Sequence, residues 1–331
     1  MAHIPHMGGK QVIAKNLIDV MLFHNPEADT FVDVFGGGGS MSFEALSRPQ
    51  IKRVIYNELN TGVVALLDKV MADGVTPEFY EWISRERFYE LVKGDCWKAG
   101  LVKNLWSFGN NQRNYLYGSD VENYKKAYHD LVVSGLDTRK SMQRYAQEYV
   151  LKKHGINEPC FIQLPTANGI QERRLQVRGD LNKYKKTCKL TQIRLLEQLQ
   201  HLERLERLQH LEQLQQLQQL QQLEHLQHLQ QLERLPTHGL ITSNKSYEQL
   251  DLSQFENAII YCDPPYAGTV EYQDKFNNTV FFDWFKNYPQ KMYLSEYDAP
   301  FKCVYEKEKR VTMSATNNKL KKIEKLYVNH D

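Results

Sequence analysis

The run Thr30-Phe31-Val32-Asp33-Val34-Phe35, closed at once by Gly36-Gly37-Gly38-Gly39-Ser40, constrains this chain more than any other feature. An apolar segment of that length reads as a buried strand, and glycines directly after it mark a tight turn. Residues 40–46 then resume at helical spacing. Before the strand, Ile13, Leu17, Ile18, Met21 and Leu22 line one helical face. A second apolar run, Arg53-Val54-Ile55-Tyr56, is followed by another helical pattern over 61–71. Helix, strand, turn, helix, strand, helix is the order of an α/β fold built on a parallel sheet.

The same pattern returns far down the chain, at 257–262 and 291–294, so the sheet is split in sequence. Between the parts, 77–190 is polar and helical, rich in Lys, Tyr and Asn, and reads as an insertion. A chain of 331 residues with 41% apolar content suits one main domain carrying such an insertion. The expected division is 1–76 for the first part of the core, 77–191 for the inserted domain, 192–236 for a leucine repeat and 237–331 for the second part of the core.

The five cysteines are scattered, which argues against a disulfide framework and a zinc site, so no metal is expected and a reducing cytoplasm fits. No segment has the apolar length of a signal peptide core or of a membrane span, so the expectation is a soluble, cytoplasmic, DNA-associated protein. Net charge is only +2, but 173–194 departs from that balance. It holds Arg173, Arg174, Arg178, Lys183, Lys185, Lys186, Lys189 and Arg194 against one acid, Asp180. Such a run suits a phosphate backbone, or else is a solvated helix face.

The glycine turn lets backbone approach a ligand, and the helix after it offers unpaired N–H groups to something polar and nucleoside-like. Glu58 ends the next strand, where a carboxylate can accept hydrogen bonds from ribose hydroxyls. These two features leave NAD and S-adenosylmethionine both open. Asp263-Pro264-Pro265-Tyr266, directly after a buried strand, favours the second. Consecutive prolines remove two donors and fix the backbone, so the Asp263 side chain and the Pro264 carbonyl can both accept from one amino group. That grip favours a tetrahedral nitrogen with an available lone pair. Adenine's amino group is engaged inside a duplex, so the base must leave the stack, and Tyr266 offers a face for it. The plainer alternative is a Pro-rich turn closing a strand, with Asp263 as a helix cap.

Taken together, Gly8-Gly9-Lys10, Asp33-Val34-Phe35-Gly36-Gly37-Gly38-Gly39-Ser40, Glu58 and Asp263-Pro264-Pro265-Tyr266 resemble the Dam-type adenine-specific DNA methyltransferases, in the family's own motif order. The resemblance covers about residues 4 to 135 and 240 to 300. It implies a Rossmann-like methyltransferase sheet with an inserted, mainly helical target-recognition domain, S-adenosylmethionine as cofactor and double-stranded DNA as partner. It further implies that His6, Lys10, Asp33, Phe35, Gly36, Gly37, Gly39, Ser40, Glu58 and Asp263 line the cofactor pocket, and that Asp263, Pro264, Pro265 and Tyr266 hold the adenine. At His6 the chain departs from the family, which usually carries Trp there. Related Pro-Pro-Tyr motifs also serve RNA adenines and protein amides.

Residues 106–118 look like the corresponding stretch of phage-borne members. Asn110, Asn111, Arg113 and Tyr117 are candidates for DNA contact there, since Asn pairs with adenine edges and Arg with guanine. Trp106, Phe108, Tyr115 and Tyr117 can equally pack a small helical domain. Finally, fourteen leucines recur at every third position from Leu196 to Leu235. A three-residue period drifts around an α-helix, so a regular repeat with a buried leucine row is expected, either reading DNA through its Gln, His and Arg positions or serving as a spacer.

Overall fold

A computed structural model describes residues 4–5, 9–199, 239–266, 276–312 and 319–330. His6 and Gly8 lie outside the described residues, as does the leucine repeat from 200 onward. Seven strands form one sheet: β1 (Thr30–Asp33), β2 (Arg53–Asn57), β3 (Leu240–Ser243), β4 (Ala258–Cys262), β5 (Met292–Glu296), β6 (Lys302–Thr312) and β7 (Lys319–Val328). Their order is β3-β2-β1-β4-β5-β7-β6, with the first five parallel and β7 antiparallel to both β5 and β6. This mixed α/β architecture is consistent with a methyltransferase fold. The strand order turns between β1 and β4, and in open α/β sheets that is where ligands sit, beyond the carboxyl ends of the strands.

The flanking helices form where the sequence signals them. α1 (Ala14–His24) buries Ala14, Leu17, Ile18 and Met21, the stripe its spacing predicts. α2 (Ser40–Leu46) starts from Gly39 at φ 76°, a left-handed conformation that favours glycine. In α3 (Thr61–Asp73) the Asn60 side chain caps Gly62 N at 3.1 Å. α4 (Arg85–Leu91) begins at the Ser84 cap, and α5 (Trp97–Leu105) follows.

The central core lies on one side of the sheet, where Val32, Val34, Ile260, Met292 and Leu294 meet Phe281 and Phe285. These two phenylalanines come from a helix over Asn278–Asn287, whose cap, Asn277, accepts from Thr279 N and Val280 N. Strands buried on both faces are near-continuous apolar runs, which is why β1, β4 and β5 were visible in the sequence.

The chain divides into two compact units: Met1–Phe79 with Ile83–Tyr115 and Glu224–Asp331, and Tyr80–Trp82 with Leu116–Leu223. The second is helical in its described residues, with α6 (Glu122–His129) running into a π turn (Asp130–Ser134), then α7 (Arg139–His154) and α8 (Ile170–Leu199). Its interior includes Tyr124, Tyr128, Leu131, Met142, Val150, Val177, Leu181 and Cys188. The division differs from a boundary at 77, because 83–115 packs on the first unit. The reason is local: α5 crosses α3 so closely that a Cβ on Gly100 would run into the carbonyl of Gly62.

That crossing yields a stability prediction. Gly100→Ala should raise helix propensity yet lower unfolding free energy by about 1–3 kcal/mol, since overpacking against backbone cannot relax. Urea unfolding checks the sign; a stabilised variant means the two helices have room.

Candidate active site

Each strand end around the turn point delivers one acid. Asp33 closes β1, Glu58 follows β2, and Asp263 follows β4. Glu58 is clamped by backbone: Oε2 accepts from Gly37 N at 2.8 Å and Oε1 from Asn60 N at 2.8 Å. The carboxylate thereby ties the glycine turn to the loop after β2. Tyr56 donates its hydroxyl to the Gly37 carbonyl at 2.7 Å, and its ring fills the space a Cβ on Gly36 would need. Asn57, fully buried, donates to the carbonyls of Val34 at 3.0 Å and Lys245 at 2.9 Å, fastening the ends of β1, β2 and β3 together. Asn244 adds donors to the Glu58 and Leu59 carbonyls.

Asp33 sits 1% exposed. Its Oδ2 accepts from Ser42 Oγ at 2.7 Å, whereas the buried Oδ1 has no hydrogen-bond partner. Burial pushes the Asp33 carboxyl up to about 7; Ser42 opposes the shift, and the charges of Asp263 and Glu58 add to it. An unsatisfied buried carboxylate oxygen is a vacancy for a donor or cation.

The densest electrostatics lie around Lys10. Its amine is 2.7 Å from Asp263 Oδ1 and 3.3 Å from Glu324 Oε1, at 4% exposure against 18% and 1% for the acids. Burial alone lowers the ammonium, but the two carboxylate charges overcome it, so the net shift is upward. The same amine lies 4.7 Å from the centre of the Tyr266 ring. Tyr266 donates its hydroxyl to Glu324 and meets Tyr297 edge-on at 4.7 Å. Lys10 itself is anchored by its backbone N–H to Ser40 Oγ at 3.3 Å, on the first residue of α2.

Lys10, Asp33, Gly36, Gly37, Gly39, Ser40, Glu58, Asp263 and Tyr266 therefore converge, while Phe35 packs on Tyr247, Phe276 and Phe281 at ring distances of 5.7, 5.8 and 5.5 Å. Pro264 and Pro265 lie between Asp263 and Tyr266 in a stretch without regular secondary structure. Glu324, Tyr56, Asn57 and Ser42 were missed by sequence reasoning. For Glu324 a signal existed, an acid in phase with the buried Leu326 and Val328 of one strand.

The expected DNA-contact residues separate. Asn110 and Gln112 adopt left-handed φ of 56° and 61°, and Asn111 Oδ1 accepts from Arg113 N and Asn114 N, so 108–114 is a self-braced loop carrying exposed Arg113. Tyr117 corrects the expectation made for it: the ring is buried and stacked on Trp82 at 5.7 Å and 5°, so it packs the second unit. Arg174 is likewise buried, on the stripe of α8 shared by Val177, Leu181, Tyr184 and Cys188, and Arg173 donates to the Val133 carbonyl at 2.9 Å. Arg178, Lys183 and Lys186 remain exposed, with Lys185 half-buried, away from that stripe. Among the described residues no group of His, Cys, Asp and Glu is arranged to hold a metal, and no helix is long and apolar enough to cross a membrane.

The Lys10 cluster predicts strong coupling. Lys10→Met should destabilise by about 3–5 kcal/mol, because two buried carboxylates lose their shared counter-charge. Adding Glu324→Gln should then recover part of the loss, since a neutral side chain relieves the remaining repulsion. Denaturant unfolding of the four-member cycle checks this, and strictly additive effects mean Lys10 and Glu324 act independently.

No protein in a search of curated sequences matches the chain. Residues 6–160 and 215–331, by contrast, match the family described as D12 class N6 adenine-specific DNA methyltransferase. The unmatched 161–214 takes in the whole of the basic run and about the first half of the leucine repeat. Since the match spans most of the chain, including every strand of the sheet, this protein belongs to the D12 class of N6 adenine-specific DNA methyltransferases.

Proposed function

We propose that this enzyme transfers the methyl group of S-adenosylmethionine to the exocyclic amino group of an adenine turned out of duplex DNA. The observation that carries the reading is Asp263, fixed at the end of β4 by the Lys10 ammonium at 2.7 Å and followed by Pro-Pro-Tyr. Paired with Lys10, Asp263 works as a carboxylate, an acceptor only. With the Pro264 carbonyl it accepts the two amino hydrogens of the base, which leaves the nitrogen lone pair for attack. Tyr266 supplies the stacking surface. Its ring is pinned by its own hydroxyl on Glu324 and by Tyr297, so a base that docks there orders little else.

The residues fit the cofactor. Bound S-adenosylmethionine supplies an electrophilic methyl on a sulfonium centre. Glu58, oriented by Gly37 and Asn60, accepts from ribose hydroxyls. Asp33 offers the cationic part of the cofactor a buried carboxylate oxygen that lacks a partner. Methyl transfer makes the adenine nitrogen acidic, and Asp263 is the neighbouring base that takes up the proton as the product forms.

Duplex DNA is held partly by cations of α8, the exposed Arg178, Lys183 and Lys186 and the half-buried Lys185, as backbone contacts, and by Asn110, Asn111 and Arg113 at base edges. His6 belongs to the cofactor end of the same reading and lies outside the described residues.

Two experiments test the assignment. Asp263→Ala should abolish adenine methylation with folding intact, and Glu58→Ala should weaken cofactor binding more than DNA binding; retained methylation in the first, or unchanged cofactor affinity by calorimetry in the second, removes that residue from its role.

Asp33 gives a pH dependence whose sign is fixed. With its carboxyl raised to about 7, the free protein keeps the proton there well above the ordinary Asp range, so that contribution to stability is present in acid and lost as pH rises towards 7. A cation prefers the ionised form. Cofactor affinity should therefore fall, by up to about tenfold per pH unit, as pH drops below 7, with one proton released on binding. Asp33→Asn should remove both effects. Binding calorimetry in buffers of different ionisation enthalpy reads the proton directly, and a pH-flat affinity in the parent protein overturns the assignment.

A further inference from the structure

The carboxyl end of β5 is Glu296, which pairs with Lys325 of β7. Because β7 runs antiparallel, its residues before Lys325 continue past the ends of the parallel strands, on the side where Asp33 and Asp263 lie. Among the described strands, β6 alone pairs with them there. The register Lys307↔Glu324, Glu308↔Ile323, Lys309↔Lys322, Arg310↔Lys321, Val311↔Leu320, Thr312↔Lys319 runs without a shift. Beyond Glu324, which touches the active-site Tyr266 and Lys10, five further residue pairs carry the hairpin about 17 Å outward at strand rise.

Charge changes character along this arm. In its inner half the opposed positions have opposite signs, Glu306 with Lys325 and Lys307 with Glu324. In its outer half they have the same sign, Lys309 with Lys322 and Arg310 with Lys321. From 309 to 322 the sequence holds five basic residues and no acid. Like charges directly opposite one another weaken a two-stranded ribbon. Edge strands do use charge against aggregation, yet opposite-sign pairs would guard the edges and stabilise the ribbon together. Uniform positive sign on both strands suits an external polyanion that offsets the repulsion, and the family's substrate is one.

We propose that the outer half of the β6–β7 hairpin is a DNA-backbone contact site, a cationic arm that holds duplex phosphates beside the catalytic pocket. It lies in the first unit and is separate in sequence from the basic face of α8. Because it meets phosphates, it adds affinity for any sequence and no choice among sequences.

The test is binding of the full chain to two duplexes of unrelated sequence between roughly 50 and 200 mM salt. The variant Lys309→Gln/Arg310→Gln/Lys321→Gln/Lys322→Gln should weaken both duplexes alike and reduce the slope of log affinity against log salt by about 2 to 4. Each opposed pair, Lys309→Gln/Lys322→Gln or Arg310→Gln/Lys321→Gln, should account for about half of that, so the reading does not depend on the fourfold variant folding. Lys309→Arg/Lys321→Arg/Lys322→Arg should keep the parent slope. Thermal melting confirms the fold of each variant. A parent-like slope in the glutamine variants overturns the proposal, and so does a loss confined to one of the two duplex sequences.

Discussion

Lys10 carries its ammonium to a place where burial alone would strip the proton from it, and it stays charged because Asp263 and Glu324 lie on either side. Those three residues come from an N-terminal segment, the end of β4 and the interior of β7, so their pairing joins parts of the chain more than two hundred residues apart. A buried ion pair is seldom a net source of stability compared with an apolar packing. What it provides here is position. Removing the ammonium leaves two carboxylates uncompensated in low dielectric, whereas removing one acid leaves a matched pair. Tyr266 inherits that fixity through Glu324, and the Pro-Pro link between Asp263 and Tyr266 transmits it along the backbone.

The glycine turn depends on a second, neutral lattice. Asn57 ties three strand ends through its amide, Tyr56 closes on Gly37, and Glu58 spans from Gly37 to Asn60. Every one of these bonds engages backbone, so the loops that surround the pocket are set before any ligand arrives. Asp33 is the exception, with a buried oxygen left unsatisfied.

What the sequence disclosed follows from periodicity. β1, β2, β4 and β5 announce themselves because strands covered on both faces are continuous apolar runs, and α1 to α3 because their stripes face one core. The motif residues Lys10, Asp33, Glu58, Asp263 and Tyr266 were legible as short local patterns. β3, β6 and β7 were not. β3, Leu-Ile-Thr-Ser, is four residues long and half-exposed, and the hairpin is dominated by Lys and Glu, whose strand preference is weak. Glu324 escaped for the same reason, since its neighbours Lys322 and Lys325 made it look like one more surface charge. The boundary at 77 shifted because the Gly62–Gly100 approach between α3 and α5 is a contact between helices that no single-helix pattern encodes. Tyr117 shows the limit of composition: an aromatic among Asn and Arg suits a base edge or a core equally, and its stack on Trp82 decides for the core.

The antiparallel β7 explains why one site can be so tightly specified. A parallel strand reaches the carboxyl end of the sheet only with its last residue and the loop that follows, so Asp33 is the final residue of β1 while Glu58 and Asp263 stand just after β2 and β4. A strand running the other way crosses that edge in mid-course. Glu324 is therefore delivered from within a ladder, paired to Lys307 on β6 and adjacent to the β5 pairing that begins at Lys325. Regular strand backbone is held by hydrogen bonds that turns lack, so Glu324 sits on the more rigid support and Asp263 on the more adjustable one. The same geometry obliges β7 to project beyond the sheet, and the part that projects is the part whose charge changes from mixed to uniformly positive. Rigid anchoring of Tyr266 and the projection of a cationic hairpin beyond the sheet thus follow from one reversal of strand direction.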